Sequence, residues 1–252
     1  EVMWTGAGVA DMINQGDLDF FKQATNGMAP FIWLNYPVND YCIGHMLMGK
    51  FYGNDKGDNA FGGRMTAFTS NPMEYAEASK VALYGVADYS WNMKDYDPEA
   101  NWERAIRYLM PTNVDAFHVF CEHNVDLGVT VHGMRREGES PNFNANAKPQ
   151  ELLEQFDLMV HSADALLADT YNPALITEII PWLQKMKYMG QRGQKMVEMW
   201  ACIESGDTEK FLQDYRDIKE LLAKEDALIS RGFAGTIKSA RPVVGSQKVE
   251  PY

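Results

Sequence analysis

Apolar positions come in two rhythms along this chain. Short unbroken runs, bounded by glycine, proline or asparagine, dominate up to about residue 70, and 3- and 4-residue steps take over afterwards. The runs Val2 to Thr5, Phe31 to Leu34 and Met65 to Thr69 read as buried strands. Phe20 to Ala24 reads as the end of a helix stopped by Asn26-Gly27, because Asn and Gly tolerate the left-handed backbone that closes a helix. Asn71-Pro72-Met73-Glu74 has the order of an N-cap, a proline at the first helical position and a Glu at the third, and predicts a helix running toward Trp91. Asp97-Pro98 starts the next, with Trp102, Ile106 and Leu109, and Pro111-Thr112 restarts the chain into one carrying Val114, Phe117, Val119 and Phe120.

Three longer stripes follow. Leu152, Phe156, Met159, Val160, Ala163, Leu166 and Leu167 form the first. Asn172-Pro173 opens the second, with Ile176, Ile179, Leu183, Met186, Trp200 and Ile203, and Pro181 is expected to kink it. Gly206-Asp207 opens the third, with Phe211, Tyr215, Ile218, Leu221 and Leu228. Met and aromatic stripes of this kind are core, and the Lys and Glu residues from Glu209 to Asp226 read as a solvated face. The stretches 35–63 and 127–148 are long loops rich in Gly and Asn, and the tail from Arg231 is expected to be loosely ordered. Alternation of strand and helix followed by helices alone predicts an α/β unit and then an all-α one, with the division at residues 96/97, a bundle over 97–240 and a tail over 241–252.

Composition narrows the partners. A net charge of −12, with an isoelectric point near 4.9, argues against nucleic acid, whose phosphates call for clustered Lys and Arg. No apolar run reaches the length of a membrane span. The cysteines Cys42, Cys121 and Cys202 are far apart and odd in number, and read as buried thiols. Cys42-x-x-His45 and His118-x-x-Cys121 have zinc-like spacing, but two ligands do not make a site and no metal is expected. Gly6-x-Gly8 lacks a third glycine, since Asp11 stands in its place, so no dinucleotide cofactor is expected.

Candidate chemistry gathers after the second strand. Trp33-Leu34-Asn35-Tyr36-Pro37-Val38-Asn39-Asp40-Tyr41 places aromatic rings beside amides and a carboxylate, a combination suited to the apolar face and the hydroxyls of a sugar. In a parallel α/β fold ligands gather at the C-terminal ends of strands, and Asn35, Asp40 and Asn71 all fall just after strands. The plain alternative is a strand end whose Asn and Asp cap turns.

Taken in order, Val2-Met3-Trp4-Thr5-Gly6, Trp33-x-Asn35-Tyr36-Pro37-Val38-x-Asp40-Tyr41, Ser70-Asn71-Pro72-Met73-Glu74 and Ala87-Asp88-Tyr89-Ser90-Trp91-Asn92 resemble the bacterial O-GlcNAcase-like β-N-acetylglucosaminidases of glycoside hydrolase family 84. The resemblance is close from Val2 to about Glu139 and general beyond. It implies that 1–96 form the last three strands of a (β/α)8 TIM barrel, that the chain is a fragment lacking the earlier five, and that the helical part sends a loop over the active-site mouth. It implies a retaining, cofactor-free glycosidase acting on N-acetylglucosamine in a glycoprotein, mucin glycan or hyaluronan-type polymer. The family uses an Asp-Asp pair and the substrate's own acetamido group, which forms an oxazoline. No Asp-Asp dipeptide occurs here, so the isolated chain is expected to be inactive. By position in the motifs, Asp40 is implied as the acceptor for the 4- and 6-hydroxyls, Trp33 as the wall of the acetamido pocket, and Asn35 as a neighbour of the scissile bond. Asn71 is divided between N-cap and hydroxyl ligand, and Tyr41, Val9 and His132 are implied as residues bordering the pocket. A secreted, periplasmic or cell-surface location is suggested by the same resemblance. The rival readings are a non-catalytic N-acetylglucosamine-binding protein and a helical interaction module.

Overall fold

Phe31–Leu34 forms strand β2, and it organises the first part of the chain in this computed structural model, which describes residues 2–6, 13–39, 46–51, 64–123 and 148–228. Strand β1, Met3–Trp4, and strand β3, Ala67–Ser70, flank it in a parallel sheet of order β1-β2-β3. The pairings Met3 to Phe31 and Phe31 to Ala67 set the register, so Trp4, Ile32 and Phe68 stand in one row and Met3, Phe31 and Ala67 in the next. Alternate side chains of a strand point to opposite faces, which gives the sheet two different surfaces. Trp4 packs on Phe21 with ring centroids 4.9 Å apart, and Phe68 meets Tyr89 at 6.2 Å, so that face is covered by helices. Ile32 and Leu34 are buried on it. On the other face Met3 is 57% exposed, and Phe31 and Trp33 are half-buried.

The connecting helices follow local signals. Helix α1, Gln15–Ala24, begins with a reciprocal capping box between Asn14 and Asp17. It ends as the Asn-Gly pair predicts: Asn26 and Gly27 both have positive φ, and the Gly27 N–H donates to the Lys22 carbonyl at 2.8 Å. Helix α2, Ala76–Trp91, starts later than expected. Its N-cap is Tyr75, without a side-chain cap, so Asn71 is not the cap that its sequence context predicts. Residues 71–75 instead have no regular structure, with a bend at Glu74. Helix α3, Pro98–Leu109, is capped by Asp97, whose carboxylate accepts from the backbone N–H groups of Glu99 and Ala100.

Among the described residues, those up to Pro111 other than Met46 form one compact unit, and Met46 with those from Thr112 onward form a second. Helix α3 packs against α2 and belongs with the sheet. Asn101 donates to Asp88 at 2.9 Å, and Arg104 pairs with the same carboxylate, tying α3 to α2 across the expected boundary. The second unit contains α4 (Val114–His123), α5 (Pro149–Leu167), α6 (Pro173–Ser205) and α7 (Thr208–Leu228). Asn172 caps α6 through the Leu175 N–H, and α6 continues as one helix through Pro181. Its core holds Trp182, Met159, Leu166, Leu183 and Met186, all essentially inaccessible to solvent. Burying each such side chain contributes about 1.5–3 kcal/mol.

Two readings of these helices change. Trp200 and Ile203, expected in the core, are exposed together with Met196 and Tyr215. Conversely the charged face of α7 is not wholly solvated. Asp214 and Glu225 are buried, the first between Lys195 and Lys210, the second against Arg192 at 3.1 Å. Cys121 and Cys202 are buried as expected, and Cys42 lies outside the described residues.

Candidate functional site

The pairing Leu34 to Ser70 brings the next two residues, Asn35 and Asn71, side by side beyond the ends of β2 and β3. Neighbouring parallel strands lie about 4.8 Å apart, within reach for two short amides on the same face. Two residues before Asn35, Trp33 shares its face. The three side chains meet at one atom: Asn35 Oδ1 accepts from Trp33 Nε1 at 2.7 Å and from Asn71 Nδ2 at 3.0 Å. Asn71 is also held by its backbone, since its N–H donates to Leu34 O at 2.8 Å and its carbonyl accepts from Val38 N–H at 2.9 Å. Ser70 Oγ donates to the Tyr36 carbonyl. The turn through the cis Tyr36-Pro37 bond is thus fastened to the end of β3.

Beyond that turn the chain is anchored again. Residues 47–51 have no regular structure of their own, and their backbone is satisfied largely by side chains of the same unit. Trp102 Nε1 donates to Met48 O at 2.8 Å, Tyr36 Oη to Gly49 O at 3.2 Å and Tyr96 Oη to Phe51 O at 2.6 Å. Phe51 fills an aromatic cluster, stacked on Tyr36 and edge-on to Tyr89. Gly85 makes room for it, as a methyl group there would come within 2.8 Å of Phe51 Cβ. Sequence reading missed these anchors. The high aromatic content of the region was the available signal, but which carbonyl each ring reaches depends on packing.

Of the residues singled out from sequence, Trp33, Asn35 and Asn71 are brought together. Asp40, Tyr41, Val9 and His132 lie outside the described residues, as do Cys42 and His45. His118 Nδ1 sits 3.6 Å from Glu122 on the same helix, while burial pushes the Cys121 thiol well above its ordinary value. A thiol held protonated is a poor metal ligand or nucleophile. Among the described residues no group of three potential metal ligands forms, and no helix is long and apolar enough to cross a membrane.

These residues form an α/β unit whose parallel sheet bears a tryptophan and two interlocked amides at its strand ends, and comparison with known proteins gives its family. Residues 1–122 match the model of the beta-N-acetylglucosaminidase family, and residues 137–228 match that of the bacterial GH84 post-catalytic domain. The chain belongs to the O-GlcNAcase-like glycoside hydrolase family 84. Among solved structures it is similar to CpGH84B, with 26% identity and a TM-score of 0.75 over 90% of this chain and 41% of that one. CpGH84D (24% identity, TM-score 0.75, covering 90% and 40%) shares the fold. So does a mutant of the Thermobaculum terrenum O-GlcNAc hydrolase (21% identity, TM-score 0.74, covering 91% and 53%). The chain therefore spans from two fifths to about half the length of these structures.

Proposed function

We propose that this chain supplies the N-acetylglucosamine-recognising part of a retaining β-N-acetylglucosaminidase. The observation that carries the reading is the Trp33–Asn35–Asn71 cluster at the C-terminal ends of two parallel strands. In a (β/α)8 barrel this is where active sites form. The three strands would be the last of such a barrel, with the face bearing Trp33 and Asn35 turned inward. Among the described residues α1 and α2 cover the opposite face, which supports this arrangement. Asp40, a few residues past Asn35, would accept from the 4- and 6-hydroxyls, with Tyr41, Val9 and His132 around the pocket.

The reaction would be substrate-assisted. The acetamido carbonyl oxygen would attack C1 as the glycosidic bond breaks, giving an oxazoline; one carboxylate orients the amide, while a carboxylic acid protonates the leaving oxygen and, as the resulting carboxylate, takes a proton from the water that opens the oxazoline. The Asp-Asp pair that does this in the family does not occur among these 252 residues, so the step would need carboxyl groups from outside them. The purified chain should bind N-acetylglucosamine yet leave an aryl β-N-acetylglucosaminide intact. Asp40→Asn should weaken that binding about 10- to 150-fold, the cost of a lost charge-assisted hydrogen bond. Turnover above a mock preparation, or Asp40→Asn binding with parental affinity, overturns the assignment.

A further inference from the structure

We propose that the indole N–H of Trp33 is a positioning group that fixes which atoms Asn35 and Asn71 present to a ligand. The inference rests on the sugar-site reading above. An indole nitrogen can only donate, so the Asn35 atom 2.7 Å from it must be the carbonyl oxygen. The Asn71 atom 3.0 Å from that same oxygen must then be the amide nitrogen. One donor-only group thereby settles two amide orientations that would otherwise be interchangeable. Both lone pairs of Asn35 Oδ1 are used, and its NH2 is directed away from the Trp33–Asn71 side. Asn71 in turn directs its carbonyl oxygen away from Asn35. The end of β2 is thus a donor and the end of β3 an acceptor. Such a pair fits a ligand that accepts at one point, as an acetamido carbonyl or glycosidic oxygen does, and donates at the neighbouring one, as a hydroxyl does. Period-2 alternation places Trp33 under Asn35, and the register Leu34 to Ser70 places Asn71 beside it, so the polarity is written into the sheet itself.

The test is a double-mutant cycle on the 252-residue chain, with N-acetylglucosamine as probe and ligand-observed NMR giving Kd. Trp33→Phe keeps a ring against the ligand and removes the donor; it should weaken binding about tenfold. In Asn35→Asp the carboxylate still accepts from Trp33 and Asn71 but has no orientation to fix. Adding Trp33→Phe to that background should then cost less than twofold. Equal losses in both backgrounds would mean that Trp33 acts only as a wall, and would overturn the proposal. A second measurement needs neither ligand nor variant: in the parent chain the Trp33 Nε1–H should exchange slowly with solvent, and rapid exchange would overturn the fixed orientation. Slow exchange in a parent that does not bind the sugar would support the orientation while refuting the site.

Discussion

Asn71 is the residue at which local and tertiary signals compete most directly. Its sequence context describes a helix cap, yet α2 begins at Ala76 and the Asn71 amide is spent on Asn35. The two accounts predict opposite orders for a pair of substitutions. If Asn71 capped the helix, Asn71→Asp would be harmless and Asn71→Ala would cost about 1 kcal/mol. Because the side chain instead donates to a carbonyl oxygen, Asn71→Asp sets a carboxylate against Asn35 Oδ1 and should be the more damaging change. We expect Asn71→Ala to lose about 0.5–1.5 kcal/mol and Asn71→Asp to lose more. Thermal melts of the two variants rank them, and an aspartate variant as stable as the parent would restore the cap.

Among the elements, α5 and α6 depend on a pair of glycines. Gly190 and Gly193 lie one turn apart in the interior of α6, where glycine costs roughly 1 kcal/mol relative to alanine. The reason for them is contact: a methyl group at Gly190 would come within 2.8 Å of the Phe156 backbone oxygen and of Val160 Cγ2, and one at Gly193 would enter the Phe156 ring. Phe156 is itself buried, so it has nowhere to move. Gly193→Ala should therefore destabilise the helical unit by about 1–3 kcal/mol despite its better helix propensity. Calorimetry decides it, with a raised melting temperature as the contrary result. Helix α7 is tied to α6 differently, through charges. Removing the buried partner of two lysines by Asp214→Asn should cost about 1–2 kcal/mol, less than a fully buried pair because Lys195 and Lys210 remain 31% and 47% exposed.

For the whole molecule, these charges set a pH profile. Burial raises the Asp214 carboxyl, but hydrogen bonds from Lys210 and Lys195 outweigh it and hold it below the ordinary value. At Asp169 burial is likewise outweighed, by the Thr112 hydroxyl, the Tyr171 N–H and the Asn113 amide. A carboxyl depressed in the folded state adds stability that is complete above its unfolded value, about 3.9, and is lost as pH falls through the folded one. At Lys195 burial lowers the ammonium value, and the Asp214 and Glu198 carboxylates more than restore it. At Lys210 the same two carboxylates raise it directly. A raised lysine adds stability that is complete below its unfolded value, about 10.4, and is lost as pH rises through the folded one. Melting temperature should therefore be flat from about pH 5 to 9 and fall on both sides. Asp214→Asn should flatten both limbs, because it removes the depressed carboxyl and the partner of the raised lysines; an alkaline limb unchanged in that variant would contradict the coupling.

What the sequence determined by itself is what neighbouring residues decide among themselves. The run Phe31–Leu34, the Asn26-Gly27 stop, the caps at Asp97 and Asn172 and the stripe of α5 all rest on interactions within a few residues, and all stand where the pattern puts them. The order of motifs was enough to indicate the family, and the candidate residues Trp33, Asn35 and Asn71 could be named from it. Only the tertiary structure decided what joins them. Nothing local says that Asn71 turns from its helix to Asn35, that α3 folds back onto α2, or that Asp214 and Glu225 leave a charged stripe for the interior while Trp200 faces water. Each of these polar groups is claimed by a partner far off in sequence, and the spacing of residues along one helix or strand carries no record of which neighbour, or whether water, the fold will bring.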